Sequence, residues 1–196
     1  MKPIKLDGVK IRNEKFGERT RAEAMIRRAF WDVYKPGCDE HYLTHNLRLD
    51  PAYIPELTRI AIYGGEIIGA VYYATSKIVD GDKSYDVITF GPLAVEPKYQ
   101  RCGIGRELLR ISLNRARRLG YRAVVIFGEP DYYPRIGFRR AAEFGILTPE
   151  GKTLDALMAY ELRKDSLKDK RGRFELADVY LKIASEDLEQ YDKLFR

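Results

Sequence analysis

Apolar residues recur along the first part of the chain with two different periods. Val9 to Ile11 alternates with polar neighbours as a short strand does. After Gly17, Glu18 and Arg19, the positions Ala22, Met25, Ile26 and Phe30 fall at helical spacing. The pattern predicts a strand followed by an amphipathic helix. Between Trp31 and Pro55 the breakers Pro36, Gly37, Pro51 and Pro55 interrupt any period, so short helices and loops are expected there. Leu57 to Tyr63 and Ile67 to Ile78 are rich in Ile, Val, Tyr and Thr, and the Gly64-Gly65 pair between them signals a hairpin. Gly81-Asp82 makes a second turn. Tyr85 to Val95 then reads as a third strand whose continuous apolar run predicts burial on both faces, which places the sheet at the centre of the fold.

After Pro97 the period changes. Ile104, Leu108, Leu109, Ile111 and Leu113 mark one face of a helix, Arg110, Arg115, Arg117 and Arg118 the other, and Gly120 closes it. Arg122 to Phe127 is another short apolar strand. Strand, helix and strand thus follow one another within about the ~30 residues of a βαβ unit, which implies a parallel pair. Phe144 to Ile146 and Leu157 to Leu162 read as final strands, and Arg163 to Arg173 as a charged linker of mixed sign. The tail from Phe174 holds one apolar stretch and an acidic helix beginning at Ser185, with Glu186 and Asp187 suited to a helix start. No internal repeat and no low-complexity tract interrupts this order.

Composition narrows the picture. A chain of 196 residues, 45% hydrophobic and 12% aromatic, supplies one well-packed core and is short for two. No apolar run approaches the ~18 residues of a spanning helix, and Met1 to Ile11 is too polar for a signal-peptide core, so a soluble, cytoplasmic protein with no membrane partner is expected. The net charge of +6 favours acidic partners without choosing among nucleic acid, membrane surface and phosphorylated small molecule. Two cysteines, Cys38 and Cys102, lie far apart and form neither a metal knuckle nor a redox pair.

The segment that carries chemistry is Gln100-Arg101-Cys102-Gly103-Ile104-Gly105, between a buried strand and an amphipathic helix. Small residues at Gly103 and Gly105 let the backbone curl around an anion, with N–H groups pointing inward and the helix dipole adding positive potential. No Gly-Lys-Ser/Thr ends the segment, which excludes a P-loop, and no suitably placed acidic residue supports a dinucleotide fold. The stretch Leu93-Ala94-Val95-Glu96-Pro97, then Lys98, Tyr99 and the loop from Gln100, resembles the acetyl-CoA loop of the GNAT acetyltransferases, Q/R-x-x-G-x-G/A after a strand ending in Leu-x-Val and a Pro. A second block, Tyr132-Tyr133-Pro134-Arg135-Ile136-Gly137-Phe138, is similar to that family's Tyr-x-x-x-Gly-Phe. The two blocks stand in the family's order, one helix and one strand apart, and the resemblance extends over Val9 to Leu162. Gly128 to Asp131 and Pro134 depart from the usual pattern, since Pro134 disfavours a regular helix at Tyr133.

The resemblance implies a mixed α/β fold, a central, mostly antiparallel sheet with a splayed parallel pair and flanking helices. It implies residues 1–163 as the acetyltransferase domain and 164–196 as a charged linker and C-terminal extension packed on it. Acetyl-CoA is the implied cosubstrate, held by Gln100, Arg101, Cys102, Gly103, Ile104, Gly105 and Arg106, with Leu93 and Val95 supplying backbone groups to pantetheine as a strand would. A backbone N–H there polarises the thioester carbonyl as an amine attacks. Tyr133 is the implied general acid for the departing thiolate. The implied activity is N-acetylation of a primary amine on a small molecule or peptide by direct attack. The acceptor stays open, as does a homodimer.

The remaining candidates carry weaker patterns. Glu129, Asp131, Glu40, His41 and His45 could each act as base through a water. His41 and His45 share a helix face, but Tyr42 stands where a zinc H-E-x-x-H motif needs Glu, so no metal is expected. Trp31, Tyr34 and Tyr42 either wall an acceptor pocket or fill the core. Two other functions compete: a non-catalytic CoA-binding regulatory module, and a nucleic-acid binder suggested by the charge. Asp165 and Asp169, interleaved in the basic run from Lys164, argue against the second, and no nucleic-acid partner is expected.

Overall fold

The computed structural model describes residues 6–195; residues 1–5, within the stretch read against a signal peptide, and residue 196 at the end of the tail lie outside the described residues. In chain order the regular elements are β1 (Lys10–Arg12), α1 (Arg19–Phe30), α2 (Glu40–Leu47), β2 (Arg59–Tyr63), β3 (Glu66–Asp80), β4 (Lys83–Val95), α3 (Ile104–Arg118), β5 (Ala123–Phe127), β6 (Arg139–Arg140), β7 (Ile146–Leu147), β8 (Leu157–Glu161), β9 (Gly172–Glu175) and α4 (Ser185–Asp192). Hydrogen bonding joins strands in the order β1-β2-β3-β4-β5-β8-β6, and β9 pairs with β3 and β7. The β4–β5 pair is parallel, with Ile88 opposite Val124, and so is β7–β9. β1–β2, β2–β3, β5–β8, β6–β8 and β3–β9 are antiparallel. The fold is therefore the mixed α/β arrangement expected, a mostly antiparallel sheet with a parallel β4–β5 pair and flanking helices.

The chain forms two compact units. One takes the described residues of 1–72 and 178–196 together with 91–112; the other takes 73–90 and 113–177. In the first unit, α1 buries Ala22, Met25, Ile26 and Ala29, an i, i+3, i+4, i+7 stripe that explains why this segment is helical. The β2–β3 hairpin turns through Gly64 and Gly65 at φ 56° and 81°, the positive values a two-residue turn of this hand requires. In the second unit the core gathers Ile78, Val87, Val125, Ile146, Leu157 and Phe174.

Two elements differ from the sequence expectation. Ala141–Phe144 is a 3-10 turn, and only Ile146–Leu147 after it is strand. The backbone N–H of Arg140 donates to Glu143 Oε1 at 3.2 Å, a local bond that competes with strand pairing. The end of the charged stretch is also sheet: Gly172–Glu175 runs antiparallel to β3 with Phe174 opposite Ile78. Phe174 is completely buried, and that one apolar residue anchors the short strand.

Candidate active site

The glycine loop lies in the first unit. Along the end of β4, Ala94 is buried while Leu93 and Val95 are half-buried, the alternation that strand geometry imposes. Glu96 N–H donates to Ile68 O at 3.0 Å, which fixes the exit from the strand, and Pro97–Tyr99 forms a 3-10 turn. Gln100 Nε2 reaches back to donate to the Val95 carbonyl at 3.2 Å. Arg101 at φ 60° and Gly103 at φ 85° flank Cys102 in left-handed conformations. Such an alternation turns successive N–H groups toward one side and makes an anion-binding concavity. Ile104, 1% exposed, pins the start of α3. The first turn of this helix, with Gly105 and Arg106, carries N–H groups that have no intrahelical acceptor. Arg101 and Arg106 are exposed, and neither has an ion-pair partner among the described residues. Gln100 to Arg106 thus run from the 3-10 turn that follows β4, the strand holding Leu93 and Val95, into the first turn of α3.

Tyr133 lies in the second unit. The backbone N–H groups of Tyr132 and Tyr133 donate to Glu129 O at 3.1 and 3.3 Å, and Tyr133–Ile136 then forms a 3-10 helix. Pro134 sits in its first turn, where the missing N–H has no partner to lose, so the proline that disfavours a regular helix here is accommodated. Gly137 at φ 105° ends the turn, and Phe138 N–H donates to Tyr133 O at 3.2 Å. The half-buried Tyr133 ring lies 5.8 Å from Phe90, 5.4 Å from Phe138 and 5.1 Å from Tyr132, centroid to centroid. Tyr132 is 38% exposed.

The residues considered as bases fall in different surroundings. Glu129 and Asp131 are exposed on the turn before Tyr133. Glu40 is half-buried, and desolvation raises its carboxyl above the ordinary range. His41 is fully buried, with Nδ1 3.6 Å from Cys38 Sγ and Nε2 3.1 Å from Asp192 Oδ1, the latter outside hydrogen-bonding direction. Burial pushes the His41 imidazole below its ordinary value and the Cys38 thiol up to about 12. His45 Nδ1 is 2.9 Å from the Tyr191 hydroxyl, which donates to Glu23 Oε2 at 2.8 Å. Of the three aromatic side chains considered for the pocket, Trp31 carries the Arg27 guanidinium 3.9 Å above its ring, Tyr34 is 67% exposed, and Tyr42 stacks near His45 and Tyr191.

Nothing in the local sequence pattern marks a buried polar group in the first unit. The Arg48 guanidinium donates to Glu14 at 2.9 and 2.6 Å, to Glu23, and to the Tyr72 hydroxyl at 2.8 Å. Tyr72 in turn donates to Glu14 at 2.6 Å. The side chains of Arg48, Glu14 and Glu23 are only 2, 5 and 3% exposed. The partners lie 34, 25 and 24 residues from Arg48, so no spacing rule finds them.

Comparison with known proteins identifies the family and the fold. The profile of the Acetyltransferase (GNAT) family matches residues 24–144. The N-acetyltransferase YhbS of Escherichia coli strain K12, itself uncharacterized, is 30% identical over 153 residues, 78% of this chain and 87% of its own length. A second uncharacterized N-acetyltransferase of that strain, YjhQ, is 32% identical over 100 residues, 51% of this chain and 55% of its own. The crystal structure of YhbS in complex with CoA superposes with a TM-score of 0.79 at 27% identity, covering 90% of this chain and 93% of that one. A GNAT family acetyltransferase from Brucella melitensis, in complex with acetyl-CoA, shares the fold at a TM-score of 0.71 and 22% identity over 88% of this chain and 97% of that one.

Proposed function

The chain belongs to the GNAT family of acetyltransferases, and on that premise we propose that it moves the acetyl group of acetyl-CoA to a primary amine by direct attack of the amine on the thioester. The observation that carries this reading is the curl at Gln100–Arg106, where left-handed residues at 101 and 103 lead into the N-terminus of a fifteen-residue helix. A helix of that length supplies both free N–H groups and a positive end, which suits a pyrophosphate. Arg101 and Arg106 add exposed positive charge beside it.

Acetyl-CoA supplies an acyl group already activated as a thioester. The backbone at Leu93 and Val95 holds the pantetheine arm as an added strand, and because Gln100 engages the Val95 carbonyl, what Val95 offers is its N–H. A backbone N–H donated at this strand end stabilises the negative charge that develops on the carbonyl oxygen as the amine nitrogen forms its bond to the acyl carbon. The carbon–sulfur bond then breaks. Tyr133 gives its phenolic proton to the leaving thiolate, whose basicity is close to that of a phenol of pKa about 10. The ammonium proton lost by the acceptor passes to solvent, from which Tyr133 is reprotonated.

Calorimetric titration with CoA tests the cofactor half of this reading. The native protein binds CoA, and Gly103→Val, which puts a branched side chain at a left-handed position of the curl, abolishes binding while the far-ultraviolet circular dichroism is kept. Unchanged affinity in the variant contradicts the assignment. A thermal-shift screen of polyamines, amino acids, peptides and aminoglycosides with CoA present identifies the acceptor class, because a ligand selective for the folded state raises its Tm.

A further inference from the structure

Gly128 follows β5 directly, and its backbone is fixed there by an N–H donated to Ala156 O at 2.8 Å. It is not among the glycines with positive φ, so its φ does not itself call for glycine. What requires glycine is a side chain five positions further on. A methyl group on Gly128 would lie 2.2 Å from Cε2 and 2.6 Å from Cδ2 of Tyr133, and 3.1 Å from Cδ1 of Ile126. The Tyr133 ring therefore rests on the bare α-carbon of Gly128. Its other sides meet Phe90, Phe138 and Tyr132. Phe90 and Phe138 are themselves only 7 and 2% exposed. Carbon atoms settle at about 3.5–4.0 Å, so a methyl at 128 would drive the ring away by more than about 1 Å, against rings that have little room to yield.

We infer that Gly128 is a positioning residue for acetyl transfer: by lacking a side chain it seats the Tyr133 ring against the end of β5 and so fixes where the Tyr133 hydroxyl stands. The inference rests on the reading of Tyr133 as the proton donor. On this inference Gly128 acts on the reaction through Tyr133, its tightest neighbour, which sets it apart from a glycine kept for chain flexibility.

The test is a cycle of four proteins, native, Gly128→Ala, Tyr133→Phe and the double variant. Each is assayed with acetyl-CoA and the most active amine from a panel of polyamines, amino acids and peptides. A misplacement of about 1 Å costs on the order of 100-fold, so Gly128→Ala should lower kcat by roughly 10- to 100-fold and leave KM for acetyl-CoA within about twofold. In the Tyr133→Phe background the hydroxyl is already gone, and the same substitution should change kcat by less than about twofold. Equal loss of kcat in both backgrounds overturns the inference, as does native kcat in Gly128→Ala when Tyr133→Phe is slowed. Full kcat in Tyr133→Phe, with chemistry limiting, instead removes the proton-donor reading itself and the inference with it. Melting gives a second check should Gly128→Ala fold poorly. Removing the ring with Tyr133→Ala should relieve most of the Tm penalty of Gly128→Ala, leaving only the smaller crowding against Ile126, and a penalty that persists undiminished there contradicts the contact on which the inference stands.

Discussion

Tyr132 and Tyr133 are adjacent in sequence, yet the turn that begins at Tyr133 sends one ring among Phe90 and Phe138 and leaves the other 38% exposed. Tyr133→Phe keeps the ring and removes one oxygen. Its kcat should fall by the ~100- to 10,000-fold typical of acid–base residues while CoA affinity changes little, and Tyr132→Phe should be mild. A crippled Tyr132→Phe with a healthy Tyr133→Phe in steady-state assays assigns the acid to the wrong neighbour. Full turnover in both, with chemistry limiting, means that water or substrate protonates the thiolate. Arg48 supports a second expectation at this scale. Its side chain is 2% exposed between Glu14 and Glu23, so Arg48→Met leaves two carboxylates buried without their cation. Loss of one partner from such a buried group typically costs about 3–5 kcal/mol, to be read from urea unfolding. A loss below about 1 kcal/mol would show that water reaches the site.

The turn and helix that open at Gln100 are where sequence and structure agree best, because a left-handed turn position calls for glycine, as at Gly103, and a long amphipathic helix leaves a strong period. α3 buries Ile104, Leu108, Leu109, Leu113 and Ala116, a stripe of four turns that no other period mimics. Pattern reading weakens as elements shorten. β9 has four residues and one buried apolar side chain, Phe174, so it hides inside a charged run. The segment around Phe144 departs from its pattern for a different reason, since the Arg140 N–H donates to the Glu143 carboxylate at the start of a 3-10 turn. The Arg48 group was illegible because its partners are distant in the chain, and so was the seating of Tyr133 on Gly128, which only a close approach in space reveals. For the loop as an element, Arg101→Gln and Arg106→Gln should each weaken acetyl-CoA binding more at low ionic strength than at high, since salt already screens exposed charge. A salt-independent loss in calorimetry would point to damaged packing instead.

Across the whole molecule, burial sets the response to pH. Desolvation holds the phenols of Tyr72, Tyr180 and Tyr191 above their ordinary value and the Cys38 thiol at about 12. Each group binds its proton more tightly folded than unfolded. The stability they contribute is therefore complete below their unfolded values and declines as pH rises from about 9 toward 12. Equilibrium unfolding should show this alkaline decline, and stability that stays flat or grows over that interval contradicts the burial of these groups. On the acid side the hydrogen bond from Arg12 holds the Glu18 carboxyl down at about 2, so its contribution is present above pH 4.5 and fades as pH falls toward 2.

Acetyl transfer itself is read most directly by incubating the native protein with acetyl-CoA and a broad panel of primary amines, following free thiol and acetylated amine together. Thiol release that depends on one class of amine, matched mole for mole by acetylated product and lost in Gly103→Val, is the expected result. CoA binding of normal affinity with no amine-dependent thiol release across the panel would contradict it, and would leave a protein that holds CoA without transferring the acetyl group.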